Sequence, residues 1–327
     1  MTKTLLSGMR PTGRLHLGHY SVVENWIELQ KEYQCYYFIA DWHAVSTAFD
    51  DTATIRANSR ELTIDWLSAG LSPDRGAIFR QSDVKEHAEL HLLFSMITPL
   101  SWLERVPTYK DQIVQFGAQG KDIATYGFLG YPLLQAADIL VYRAFGVPVG
   151  EDQIPHIELT REVARRFNHM YKTDVFPEPQ ALMPKIKNLP GIDNRKMSKS
   201  YANDISLSAT EGEVKARVQQ MVTDPARIHK TDPGHPDICT VHTYHGFYNQ
   251  EAQGSIAEAC KKGEIGCGEC KKCLTAKLNE FLAPIRERRQ ELETIPGLVE
   301  DILAEGASKA RMAASETMAR VREAMKI

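Results

Sequence analysis

A chain of 327 residues with 43% apolar and 25% charged side chains has ordinary globular usage, which excludes a disordered or fibrous protein and leaves room for two domains. Its 39 Lys and Arg against 42 Asp and Glu give a formal charge of −3, which excludes a protein that coats nucleic acid by bulk attraction, so RNA contact must be local. The opening MTKTLLSGMRPTG is too poor in consecutive apolar residues for a secretion signal, and no later run approaches the ~20 residues of a membrane span, so a cytoplasmic location is expected.

In chain order, Leu5 to Met9 reads as a short buried strand, and Val22, Val23, Trp26, Ile27 and Leu29 follow at helical spacing. Tyr36 to Ala40 is the next strand, Thr52 to Ala69 a longer helix, and Ala77 to Arg80 and Val147 to Val149 are two further strands. Alternating strand and helix implies an α/β fold, a Rossmann-like doubly wound parallel sheet, over residues 1–205. From 206 to 327 helical patterns dominate, and Ala314, Met318, Val321 and Met325 form a stripe whose plain reading is core packing, with the last helix free to return to the first domain.

In a doubly wound sheet, loops beyond the carboxyl ends of the strands carry the ligand site. The first such loop reads Pro11 to His19, PTGRLHLGH, and sets His16 and His19 around Gly18 at a helix start. Free N–H groups and positive potential there suit phosphate, the imidazoles add donors, and Gly18 removes the side chain that would block a flat base. Capping is the plain alternative for these histidines. Far downstream, Lys196, Met197, Ser198, Lys199 and Ser200 follow Arg195 and the turn residues Pro190, Gly191, Asp193 and Asn194. As a clamp, the two ammonium groups meet a triphosphate whose leaving group gathers charge; otherwise the segment is a solvated basic loop. A third loop, Gly150, Glu151, Asp152, Gln153, opens a helix with Pro155 in its first turn, and Asp152 is either a cap or a ligand group. Asp138 stands in the apolar run Ala136, Ala137, Ile139, Leu140, where a carboxylate is costly without donors.

Five of the six cysteines crowd into residues 239–273. Cys260, Cys267, Cys270 and Cys273, with Cys239 upstream, have a spacing unlike a secreted disulfide frame and favour a metal, zinc or an iron–sulfur cluster.

The HLGH and KMSKS segments resemble the signature motifs of class I aminoacyl-tRNA synthetases. The resemblance to the tryptophan-specific branch runs from Ser7 to the end, through Ala40 to Ala44 (ADWHA), Tyr131 to Tyr142 (YPLLQAADILVY), Gly150 to Asn168 (GEDQIPHIELTREVARRFN) and the closing GASKARMAASETMARVREAM. It implies activation of L-tryptophan by Mg-ATP and transfer to tRNA(Trp), with a tRNA-binding helical domain, a Mg²⁺ ion accompanying ATP, and a homodimer. It implies ATP contacts from Arg10, Thr12, His16, Gly18, His19, Gly150, Asp152, Gln153, Lys196, Met197, Ser198 and Lys199, with His16, His19, Lys196 and Lys199 the catalytic group. Asp138 is implied as acceptor of the indole N–H, with His43, Tyr131 and Gln135 beside it, Gln135 standing where other members carry methionine. Some bacterial members hold a [4Fe–4S] cluster, and by that likeness Cys239, Cys260, Cys267 and Cys270 are the ligands and Cys273 is spare; Cys273 in place of Cys239, and Zn²⁺ in place of iron, stay open. Lys261, Lys262, Lys271 and Lys272 around them meet phosphates or solvent. A tyrosine-specific enzyme, a small-molecule nucleotidyltransferase and a non-catalytic RNA-binding or iron–sulfur relative are the alternatives.

Overall fold

A computed structural model describes residues 3–118, 120–183 and 189–327. The first half runs β1 (Thr4–Met9), α1 (Leu17–Leu29), β2 (Gln34–Ile39), α2 (Asp41–Ala48), α3 (Ile55–Ala69), β3 (Gly76–Arg80), α4 (Glu86–Ser95), α5 (Leu100–Glu104), α6 (Pro107–Gly117), α7 (Tyr126–Leu129) and α8 (Tyr131–Val141). It continues through β4 (Gly146–Pro148), α9 (Ile154–Tyr171) and β5 (Gln180–Leu182) to the helices α10 (Glu211–Gln220), α11 (Thr240–Tyr248), α12 (Gln250–Lys261), α13 (Cys267–Thr294) and α14 (Leu298–Met325).

The five strands form one parallel sheet in the order β3-β2-β1-β4-β5, so the chain changes direction of winding between β1 and β4. The four expected strands are present within a residue or two of their expected limits, and the expected helix from Thr52 begins at Ile55. β5 is an addition: three half-exposed or exposed residues, QAL, carry too little pattern to read.

Alternate strand residues feed two cores, as a pleat of period two requires. Leu6, Tyr36, Phe38 and Phe79 pack with α4, α8 and α9 on one face; Leu5, Tyr37, Ile39 and Ile78 pack with Trp26, Trp66 and α13 on the other. The expected stripe on α14 packs against the first core through Ala314, Met318 and Val321, joined by Ala307 and Ala310. Helix α14 thereby covers β3, an edge strand whose free backbone would otherwise invite pairing. Gly306 makes that approach possible: a Cβ there would stand 1.9 Å from the Ile78 carbonyl oxygen. Among the described residues no helix is long and apolar enough to cross a membrane.

Candidate active site

At the carboxyl ends of β1 and β4, where the winding reverses, a cavity of about 350 Å³ opens between Gly8, Arg10, Phe38, Ala40, Val147 and Gly150. Its lining includes four residues expected for the amino-acid side, His43, Tyr131, Gln135 and Asp138. Helix α8 supplies three of them at positions i, i+4 and i+7, one face of one helix.

Asp138 is fully buried and met by three donors. Its Oδ1 accepts from Gln81 Nε2 at 2.7 Å and from His87 Nδ1 at 2.6 Å, and its Oδ2 from His43 Nε2 at 2.8 Å. An ionised carboxylate only accepts, so His87 donates at Nδ1 and takes the Tyr142 hydroxyl at Nε2, 2.7 Å away. Tyr142 in turn stacks on Tyr36 with centroids 4.6 Å apart. Burial works to raise the Asp138 carboxyl, and the hydrogen bonds from His43 and His87 outweigh it, holding the group below the ordinary carboxylate range. Oδ1 is fully engaged, whereas Oδ2 has one donor and a lone pair left for a ligand. Sequence reasoning missed Gln81 and His87, which stand among ordinary polar residues in QSDVKEHAE and break no apolar pattern.

Beyond α8 lies a second network. Tyr131 Oη lies 2.5 Å from Thr108 Oγ1 and 3.2 Å from His156 Nε2, and His156 Nδ1 meets Gln153 Oε1 at 2.8 Å. Gln153 Nε2 donates to Asp152 Oδ2 at 2.8 Å. Asp152 therefore orients Gln153, and of its two readings the cap is not the one seen, since no side chain caps the helix that follows. His156, buried one turn past Gln153, is a further residue not singled out in the sequence.

The two signature loops come together at the start of α1. Gly18 N donates to Met197 Sδ at 3.3 Å, and Lys199 Nζ donates to the Thr12 carbonyl at 3.0 Å. His16 and His19 stack with centroids 3.7 Å apart. Thr12, Gly13 and Lys199 line a shallow cleft of about 360 Å³ with Arg14, Asp204 and Ser206. Lys196 is exposed, while its charge still acts on His19. Arg10 reaches Thr47 and faces the amino-acid cavity, between the two halves of the site.

The expected turn before the lysines is present: Pro190 bridges Lys196, Gly191 N donates to the Arg195 carbonyl, and Asn194 takes the left-handed conformation. At its centre sits Asn203, 2% exposed, which no motif indicated. Its Oδ1 accepts from Ser198 N at 2.8 Å, and its Nδ2 donates to Asp193 Oδ1 at 2.8 Å and the Lys196 carbonyl at 3.1 Å. Gly191 leaves room for it, since a Cβ there would be 2.3 Å from Asn203 Nδ2.

Residues 2–283 match the model of class I tRNA synthetases (W and Y). The tryptophan–tRNA ligase of Thermotoga maritima is 50% identical over 327 residues, covering 99% of each chain. The chain belongs to the tryptophan–tRNA ligase family of class I synthetases. The synthetase of Aquifex aeolicus with the same name is 44% identical, again over 99% of each chain. The crystal structure of the tryptophanyl-tRNA synthetase of Campylobacter jejuni, complexed with ADP and tryptophan, matches with a TM-score of 0.90 at 33% identity, covering 99% of this synthetase and 100% of that chain.

Five of the six cysteines lie around the start of α13. Cys239 precedes α11, Cys260 ends α12, and Cys267 and Cys270 occupy the first turn of α13. Among the described residues no three His, Cys, Asp or Glu side chains stand close enough to hold a metal ion as they are. Cys260 and Cys270 nonetheless feel the charge of Cys239 and Cys267, and burial pushes the Cys270 thiol up to about 12. Arg227 Nη1 lies 3.5 Å from Cys260 Sγ and 4.0 Å from Cys267 Sγ, while its buried Nε has no partner among the described residues. Cys273 turns to Asn249, with Nδ2 3.6 Å from its sulfur. Of the surrounding lysines, Lys271 is committed to the end of α10, donating to the Gln219 and Met221 carbonyls at 2.7 and 2.9 Å, and Lys261 pairs with Glu258.

The site's histidines give the synthetase a defined acid sensitivity. Burial lowers His16 and His156 to about 4 and His19 to about 3, with nearby cations adding to the effect on His16 and His19. Unfolded histidines take protons near 6.5, so between that pH and about 4 the unfolded state binds more protons than the folded one. Folding stability is therefore full above pH 6.5 and falls as the pH drops through that window, opposed only in part by Asp65, whose carboxyl burial raises. The melting temperature is expected to decline steadily from pH 7 to pH 4.5 in calorimetry, and a flat profile would contradict neutral, buried imidazoles.

Proposed function

We propose that the chain is the enzyme that makes tryptophanyl-tRNA(Trp). A tryptophan carboxylate oxygen bonds to the α-phosphorus of ATP as the bond to the bridging oxygen breaks and pyrophosphate leaves. The 2′-hydroxyl of the terminal tRNA ribose then takes the tryptophanyl group and AMP leaves. The observation that carries this reading is Asp138: a buried carboxylate on the cavity wall, with three donors fixed and one acceptor position remaining. An indole has one N–H, and a site built on that bond rejects rings lacking it by factors on the order of 10⁴.

The remaining groups divide by place. Tyr131 and His43 suit the amino acid. Arg10 and Gln153, expected at ATP, line the same cavity and suit the join between the amino-acid carboxylate and the nucleotide, and Gln135 lies on the same helix face as Asp138. Thr12, Gly18, Gly150 and Asp152 suit the nucleotide; Ser198, through its amide on Asn203, fixes the loop that carries the lysines. His16, His19, Lys196 and Lys199 donate to phosphate oxygens, the histidines as neutral donors. Catalysis is by position and charge, with no side-chain nucleophile. The Mg²⁺ that accompanies ATP would offset the charge of its phosphates.

For the cysteines we keep Cys239, Cys260, Cys267 and Cys270 as ligands of a [4Fe–4S] cluster, with Zn²⁺ the alternative. Four thiols within electrostatic reach, an arginine against two of them and a fifth turned to Asn249 support that set; the cluster would tie α11, α12 and α13 into one unit. The reading extends to a catalytic part over 1–205 and a tRNA-binding part over 206–327 with α14 returned to the sheet, to a cytoplasmic enzyme, and to a homodimer. Exposed Leu92, Met96, Leu100, Val114 and Tyr126 on α4 to α7 support the dimer.

The test is amino-acid-dependent ATP–pyrophosphate exchange on protein purified without oxygen, with the visible spectrum recorded alongside. Exchange with tryptophan and not tyrosine, and a broad brown absorbance lost in air, are expected. Exchange by a colourless protein would turn the cysteines to zinc or to no metal; no exchange with tryptophan would sink the enzyme assignment.

A further inference from the structure

Helix α3 carries Glu61 and Asp65 one turn apart, a spacing at which two carboxylates repel. Asp65 is 1% exposed, and its burial is answered from two directions. Its Oδ2 accepts from Leu15 N at 2.5 Å, inside the first signature loop; its Oδ1 pairs with Arg289 Nη1 at 2.6 Å. Arg289, 4% exposed on α13, also holds Glu61 Oε2 at 2.5 Å and Glu293 at 2.9 Å. Glu61 Oε2 in turn accepts from Arg14 Nε at 2.7 Å. Both residues before His16 are thus tied, through two carboxylates, to one guanidinium of the helical half.

The other side of the loop is tied to the same helix. Leu207 N donates to the Leu15 carbonyl at 2.9 Å, Leu17 N to the Ile205 carbonyl at 2.9 Å, and His16 bridges Ser206. That segment, just past the lysines, is held by Arg286 Nη1 on the Ala209 carbonyl at 2.9 Å. Arg286 and Arg289 are one turn apart on α13, so one helix face fixes both strands of chain that flank the phosphate site.

We propose that Arg289, acting through Asp65, is a positioning residue for amino-acid activation: it sets the Leu15 amide, and with it His16 and His19, against the lysine loop. The inference rests on the synthetase reading. Without Arg289 the Asp65 carboxylate is buried and uncompensated, and it neutralises or turns away from Leu15. The histidines then lose their register with the phosphates, while the tryptophan cavity, built on α8 and β1, keeps its shape. Small displacements of this kind cost catalysis far more than binding.

The experiment compares Arg289→Met, Asp65→Asn and Arg288→Met by tryptophan-dependent pyrophosphate exchange, with active sites titrated and melting temperatures recorded. Arg288 donates to the Ser68 carbonyl, so its variant loosens the same helix on α3 without touching the loop. For Arg289→Met, kcat per active site is expected to fall about tenfold with the tryptophan KM within twofold of the parent's, while Arg288→Met keeps kcat. Asp65→Asn keeps an acceptor for Leu15 and loses the ion pair, so it falls less; combined with Arg289→Met it adds little more. Parental kcat in folded Arg289→Met, or equal losses in the Arg288 and Arg289 variants, would overturn the proposal. Should Arg289→Met not fold, a parental kcat in Asp65→Asn does so. If the parent itself shows no tryptophan-dependent exchange, the functional reading has failed and this inference with it.

Discussion

Asp138→Asn is expected to raise the KM for tryptophan by roughly 10²-fold, the upper range for a hydrogen bond to a charged acceptor. Oδ1 already takes Gln81 and His87, and Oδ2 takes His43. An asparagine offers one acceptor and an amide of two donors in the same space, so whichever way it turns, its amide faces a donor. Either His87 must release the Tyr142 hydroxyl and reverse its tautomer, or the amide displaces His43 and presents N–H to N–H at the indole. Steady-state exchange kinetics check this. The variant should also gain ground on tryptophan analogues whose ring carries an acceptor in place of the N–H. An unchanged KM would remove Asp138 from recognition and reduce the network of His43, Gln81 and His87 to packing of the core.

How much of this was legible in the sequence follows from the kind of signal each residue carries. The strands β1 to β4 are short apolar runs ended by turn residues, and burial on both faces of a parallel sheet keeps such runs apolar, so they read directly. Strand β5 is three residues with no such run and depends on β4 beside it. Asp138 was legible because a carboxylate between Ala137 and Ile139 breaks an apolar pattern. Asp65, between Ile64 and Trp66, breaks an apolar run in the same way and was passed over, whereas Asn203 and Arg289 are ordinary polar residues until the fold brings their partners in, from as far as 228 positions along the chain. The two lysines of the downstream loop read as a motif, but their placement against Thr12 and Gly18 does not: it is fixed by Met197 and by the pairing of Leu15 and Leu17 with residues 205 and 207.

That placement carries the largest effect. Lys199→Ala is expected to lower kcat for tryptophan activation by roughly 10²- to 10³-fold, as when one preorganised donor to a developing anion is removed, with the tryptophan KM nearly unchanged. Lys199 Nζ sits on the Thr12 carbonyl, 3.4 Å from where a side chain on Gly13 would begin, so its ammonium is already at the phosphate cleft before nucleotide enters. Half-burial lowers its pKa below that of a free lysine, with Asp204 and Asp65 opposing the shift. The charge is present at neutral pH and is lost on the alkaline side sooner than a solvated lysine would lose it. The kcat profile should therefore have an alkaline limb that Lys199→Arg moves upward, because a guanidinium stays charged there. Lys196, exposed and near His19, should show a smaller loss. Equal losses in kcat and tryptophan affinity in Lys199→Ala would make the loop a binding element, and the argument from charge on the leaving pyrophosphate would have to be given up.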